Sequence, residues 1–231
     1  MASQTYDTDP AALLKSLIST VEDQIIPLTA KGVSSGSKLF GAAILSKEGL
    51  IPLTVATNNE AISPLLHGEI NCIQQFFAQT SFPDADGGAS SRRPNPRDCI
   101  FLATHEPCSL CLSGITWSGF DSFFYLFTYE DSRDLFAIPY DIEILQEVFR
   151  VPAVSESEED RRLRPLYNRR NKFFTARSFG DLVEEIAEKI GEPESRKWGD
   201  EVERVKKLYN ELSETYQKGK TGGVESASFW K

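Results

Sequence analysis

The chain lacks any apolar run long enough to span a bilayer, which excludes a helical membrane protein. Its first residues, MASQTYDTDP, have no basic stretch followed by an apolar one, so nothing there reads as a secretory signal. Cytoplasmic residence is the expectation, with the nucleus as the alternative. Positive charge is in deficit: 25 Lys and Arg stand against 34 Asp and Glu, a formal charge of −9. Such a surface repels a polyanion, so nucleic acid is disfavoured as a partner and a small molecule favoured. Histidine occurs only twice and cysteine four times, few enough that every one can be assigned. No internal repeat is present, and 231 residues suffice for one sizeable core with an appendage rather than two large domains.

What is there is concentrated in two short segments, His67-Gly68-Glu69 and Pro107-Cys108-Ser109-Leu110-Cys111. A catalytic zinc takes three nitrogen or sulfur ligands and keeps a fourth position for water; His67, Cys108 and Cys111 supply that number. Glu69 stands two residues from the histidine, too close along one turn to be the natural fourth ligand. Its carboxylate is placed to reach the metal's water and shuttle its protons. Cys108 and Cys111 are three apart, so a helix beginning at Pro107, a residue tolerated at the first helical position, sets both thiols on one side of its first turn. The helix dipole and the metal together favour their thiolates. A closed four-ligand site would need His105, Cys72 or Cys99. Cys72 is five residues past His67, roughly 140° around a helix, and Cys99 opens an apolar run, so both are read as structural. A redox Cys-x-x-Cys would not call for a neighbouring His-x-Glu.

Along the chain, Ala11 to Pro27 carries apolar residues at helical spacing behind Asp9-Pro10, and Lys31 to Lys38 reads as a loop. Leu39 to Leu45 and Leu50 to Ala56 form a hairpin, with Pro52 marking an edge strand. Asn58 and Asn59 follow, where an amide can donate to and accept from a heterocycle's edge. A helix from Leu66 to Thr80 carries His67 and Glu69. Ser81 to Asp98, dense in Gly, Pro and Ser, is a long surface loop, either a lid or disordered. Cys99 to Thr104 reads as a strand buried on both faces, delivering the cysteine segment from its carboxyl end. After a helix ended by Gly119, Ser122 to Tyr129 is an aromatic strand in which Phe127 or Tyr129 is placed to stack on a planar ring. A helix over Asp141 to Phe149 and a short last strand over Arg150 to Val154 follow. Arg161, Arg162, Arg164, Arg169, Arg170 and Lys172 form a basic cluster around Tyr167. The acidic run Ser155 to Asp160 is its expected internal partner, with a phosphate or RNA backbone as the alternative. Helices over Phe179 to Ile190 and Glu194 to Gln217 close the chain, and Phe229-Trp230 is a candidate aromatic cover.

The pairing of His67-Gly68-Glu69 with Glu106-Pro107-Cys108-x-x-Cys111 resembles the cytidine deaminase-like superfamily, most of all its cytosine, guanine and tRNA-adenosine deaminase branch. The resemblance covers roughly residues 36 to 130. It implies an α/β fold, a three-layer α/β/α sandwich around a central mixed sheet, here with a helical C-terminal extension. The corresponding division is a zinc deaminase domain with an N-terminal helix over 1–154 and the extension over 155–231. It also implies that His67, Cys108 and Cys111 bind zinc and that Glu69 is the proton shuttle. Relatives place a substrate-binding Asn about eleven residues ahead of the zinc histidine, whereas the candidates here, Asn58 and Asn59, stand nine and eight residues before His67, which implies a shortened or realigned loop; His105 is a further candidate at the pocket rim. The expected activity is hydrolytic deamination of a small aminated heterocycle, a free nucleobase such as cytosine or guanine or a related ring, by a homodimer. The alternatives are a tRNA adenosine deaminase or its partner subunit, a nucleoside or nucleotide deaminase, and a silent scaffold that keeps its zinc.

Overall fold

Asp9 caps the first helix, α1 (Pro10–Thr20), by accepting from the main-chain N–H groups of Ala11 and Ala12, with Pro10 in the first turn as the sequence predicts. In the computed structural model, which describes residues 8–84 and 86–224, the helix does not stop at Pro27. A π-helical turn (Val21–Ile25) leads into α2 (Ile26–Ser34), so residues 31–34 are helical where a loop is expected. The reason is local: a proline ring collides with the carbonyl four residues back, and the widened turn contains that residue, Asp23.

β1 (Gly41–Ser46) and β2 (Pro52–Thr57) form the expected antiparallel hairpin, and β2 is an edge strand. After α3 (Gly68–Ala78) the chain makes a miniature hairpin, β3 (Phe82–Pro83) with β4 (Ala89–Ser90), and a 3₁₀ turn over Pro96–Asp98. The described residues of this segment, expected to be a lid or disordered, pack against the body of the protein. Phe82 is buried, and Arg93 donates to the carbonyl of Phe77, which fixes the segment at the C-terminal end of α3, the end away from His67.

β5 (Cys99–His105) is buried along its whole length and pairs antiparallel with β1 and parallel with β6 (Ser122–Phe127). Between them lies α4 (Ser109–Ser118), closed by Gly119 at φ 87°. Cys108 is the N-cap of α4, so Pro107 stands just outside the helix rather than at its first position. The aromatic strand ends at Phe127 because Thr128 caps α5 (Tyr129–Phe136), exchanging hydrogen bonds with Asp131. α6 (Tyr140–Ile144) runs into a π turn (Leu145–Phe149), matching the helix expected there, but residues 150–154 form no strand. A short helix, α7 (Glu158–Leu163), follows. The last strand is β7 (Thr175–Ser178), parallel to β6, so the C-terminal region contributes to the sheet as well as supplying α8 (Phe179–Lys189), α9 (Glu192–Lys207) and α10 (Tyr209–Thr221).

The mixed sheet runs β2-β1-β5-β6-β7. Alternation along the strands splits the core in two. Ile100, Leu102, Phe124 and Leu126 pack with the residues of α1, α8, α9 and α10, whereas Phe101, Ala103, Phe123 and Tyr125 pack with those of α3 and α4. The result is the expected three-layer α/β/α sandwich. Among the described residues no helix is long and apolar enough to cross a membrane. Phe229 and Trp230 lie outside the described residues.

Candidate active site

Two helix starts meet at the carboxyl end of β5. His67 is the N-cap of α3, and its position follows from Gly68. A Cβ built on Gly68 would lie 2.9 Å from both Gly41 Cα and the Phe40 carbonyl oxygen, so only glycine lets α3 approach the start of β1 this closely. Gly68 N–H donates to Asn58 Oδ1 at 2.6 Å, tying the end of β2 to the same point. The intervening loop is braced by a buried ion pair, Lys38 Nζ to Glu60 Oε1 at 3.0 Å, and by Lys38 N–H donating to Glu60 Oε2 at 2.7 Å. On the other side β5 leads through Glu106 and Pro107 to Cys108, with Cys111 one turn into α4. Tyr129 donates to the Pro107 carbonyl at 2.5 Å and steadies that loop.

His67 Nδ1 stands 3.4 Å from Cys108 Sγ and 3.7 Å from Cys111 Sγ, and the three ligand atoms lie within 4.8 Å of one another. Donors at bond distances of 2.0 and 2.3 Å on a tetrahedral zinc stand about 3.6 Å apart, so this constellation fits the ion with little movement. Glu69 is buried beside Cys111 but is not part of the three-donor cluster, which leaves the fourth position to a small molecule.

The charges point the same way. The Cys108 thiol is held well below its usual range, chiefly by its hydrogen bond with Cys111 and, against burial, by His67. Burial pushes the Cys111 thiol up, aided by its Cys108 and Glu69 neighbours. Burial opposes charge on His67, yet the hydrogen bond with Cys108 and the nearby negative groups leave it raised. Burial and then the Cys108 charge push Glu69 up to about 7. One thiolate, Cys108, and two buried groups pushed toward the protonated form by their surroundings, Cys111 and Glu69, stand beside one imidazole, an arrangement that a divalent cation would relieve by taking the thiolate charges.

Sequence reasoning thus placed His67, Glu69, Cys108 and Cys111 together, and the structure brings them together. Cys72 and Cys99 are buried elsewhere, their thiols pushed up by burial, Cys99 to about 12. Asn58 is at the site; Asn59 is half-buried and closes the loop through its N–H to the Leu66 carbonyl. His105 and Phe127 are not brought to the ligand cluster. Their rings stack at 4.8 Å within a sealed aromatic group that includes Phe136 and Tyr209, and neither ring keeps a free face. The structure adds Asp141 on α6, whose carboxyl is raised by burial and by the Cys108 charge and lowered by His67 and Lys38. No local signal marked Asp141, Lys38 or Glu60, because their partners are remote in sequence.

Residues 21–127 match the family described as the cytidine and deoxycytidylate deaminase zinc-binding region. No curated protein matches the chain in sequence. Among solved structures, guanine deaminase from Nitrosomonas europaea is 16% identical with a TM-score of 0.44, over 83% of this chain and 82% of that one. Guanine deaminase from Bacillus subtilis is 23% identical with a TM-score of 0.40, over 64% of this chain and 82% of that one. A tRNA deaminase that edits adenosine to inosine at the wobble position is 15% identical with a TM-score of 0.34, over 46% of this chain and 69% of that one. Over residues 21–127, the stretch that holds three metal donors and a buried carboxylate at the positions the motif names, the chain is similar to the cytidine and deoxycytidylate deaminase zinc-binding family.

Proposed function

We propose that the chain deaminates a small aminated heterocycle, a free nucleobase such as cytosine or guanine or a closely related ring. The observation that carries the reading is the three-donor cluster with Glu69 buried next to it and outside it. Zinc, when bound, supplies a Lewis acid that lowers the pKa of water in its free position toward about 7. Glu69 takes one proton from the attacking water and delivers it to the ring nitrogen, then takes the second from the new hydroxyl and delivers it to the departing amine. A C–O bond forms, the C–N bond breaks, and ammonia leaves. Burial raises the Glu69 carboxyl above its usual range, which suits a group that must both take and return a proton.

Asn58 is assigned to substrate positioning. Gly68 N–H can only donate, so the amide oxygen faces it and Nδ2 faces away; that Nδ2 is buried and has no partner among the described residues. A buried amide N–H of this kind calls for an acceptor, which a ring nitrogen or carbonyl supplies. Asp141 offers a second carboxyl beside the ligands, suited to an N–H edge of the ring. The same reading includes a homodimer, supported by the exposed apolar Trp117 on α4, and a reducing cytoplasm, which suits four free cysteines. Ammonia release from the zinc-loaded protein, measured across nucleobases, nucleosides, nucleotides and other amino-heterocycles, tests the substrate class. Turnover of at least one free base supports it; silence on every free base with release from tRNA overturns it.

A further inference from the structure

The basic cluster expected to be neutralised internally is only half so. Arg164 Nε pairs with Glu156 at 3.2 Å and Arg169 pairs with Asp181, in addition to Arg161 with Glu158 at 3.9 Å outside the cavity. Arg164 and Arg169, with Arg150 and Arg170, line a surface cavity of about 660 Å³ whose lining contains no acidic residue. Among the described residues no carboxylate forms an ion pair with Arg150 or Arg170, although Arg170 also borders a neighbouring cavity lined by Asp181, Glu184, Glu185 and Glu188, in a protein of net charge −9.

The wall is built rather than incidental. Arg150 donates to the carbonyls of Arg161 and Arg164 at 2.7 and 2.8 Å, and Arg164 donates back to the Val151 carbonyl at 3.0 Å. These bonds to neutral oxygens hold the Arg150 guanidinium in place without cancelling its charge. Arg's planar fork, fixed in advance, is the side chain that suits phosphate oxygens. Phe149 is 58% exposed at the same cavity and offers a face to a planar ring, and Asn168 offers an amide.

The cavity is linked to the metal centre by a hydrogen bond and a helix. Tyr167, in its lining, donates to Glu106 Oε1 at 2.8 Å, and Glu106 stands two residues before Cys108. The helical run that carries Asp141, beside the ligands, ends at Phe149 in the cavity wall, on the order of 12 Å from Asp141 at 1.5 Å per residue.

We infer that this four-arginine cavity is a binding site for a phosphate group carried by a nucleotide. The inference concerns binding and stands apart from which ring is deaminated. Its test is titration of the zinc-loaded protein by calorimetry, at low and high salt, with inorganic phosphate, a nucleoside monophosphate, the matching nucleoside, an RNA of about ten nucleotides and poly-glutamate. The monophosphate binds more tightly than its nucleoside, and the affinity falls as salt rises. Arg170→Glu weakens it by about tenfold or more while zinc content stays at wild type; Arg150→Gln does the same if Arg170→Glu fails to fold. A steeper salt dependence for the RNA than for the monophosphate identifies a phosphodiester backbone as the source, and equal slopes identify a single phosphate. The inference is overturned if the monophosphate and the RNA bind no better than the nucleoside, if Arg170→Glu binds as wild type does, or if poly-glutamate binds as tightly as the RNA.

Discussion

Replacing Gly68 with alanine adds one methyl group between the metal ligand His67 and the proton shuttle Glu69. That carbon would stand 2.9 Å from Gly41 Cα and the Phe40 carbonyl oxygen and 3.1 Å from Gly41 N, against roughly 3.5–4.0 Å for comfortable contact between carbon atoms. All three neighbours are main chain, held by pairing of β1 with strands on both sides, so they cannot rotate away. The start of α3 must retreat by more than half an ångström, stretching the 2.6 Å bond from Gly68 N–H to Asn58. Overpacking of this kind costs about 1–3 kcal/mol. Gly114→Ala is the internal control: its added carbon meets Ile70 Cδ1 at 2.6 Å, the free end of a flexible side chain. Its cost is offset by up to about 1 kcal/mol of helix propensity. Urea unfolding should place Gly68→Ala below wild type by the stated amount with Gly114→Ala between them, and chelator competition should show weaker zinc binding for Gly68→Ala. Wild-type stability and wild-type zinc affinity in Gly68→Ala would refute the close-approach reasoning.

Glu69→Gln should keep its zinc, measured by atomic absorption, and lose turnover by at least about 10²–10⁴, the usual share of a general acid–base. Asn58→Ala should be less stable by about 1–3 kcal/mol, because the Gly68 N–H loses its buried acceptor, and should raise KM; Asn58→Asp should restore stability without restoring KM. His105 is neutral in the fold, since burial holds it well below its usual range, and takes up a proton near pH 6.5 when unfolded. The unfolded chain therefore binds more protons below that pH, and His105 contributes stability that is present above pH 6.5 and lost as pH falls. His105→Leu should flatten the acid limb of urea-derived stability by up to about 1.4 kcal/mol per pH unit, and identical slopes in both proteins would contradict this.

The metal ligands were legible because zinc chemistry is written in short spacings: Cys108 and Cys111 share one helical turn, and Glu69 follows His67 by two. β5 was legible because a strand covered on both faces carries no polar alternation until Thr104, whose hydroxyl is spent on the Gly41 main chain. The π turn before Pro27 was not, because proline normally stops a helix and only the widened turn admits it. α5 was overlooked although Thr128-x-x-Asp131 is a capping pattern, since the aromatic run before it looked continuous through Tyr129. β7 is four residues long and shows no alternation to read. The surroundings of the site, Lys38 with Glu60 and Asp141, come together only in three dimensions. His105 looked like a rim residue by its place before the cysteines, yet its ring turns into the aromatic cluster of the opposite layer.

The most direct measurement is zinc X-ray absorption on protein purified with one equivalent of metal. One nitrogen and two sulfur scatterers at roughly 2.0 and 2.3 Å, with a light fourth atom that exchanges with added small ligands, is the predicted result. No bound zinc, or a shell closed by a fourth side chain, would contradict it.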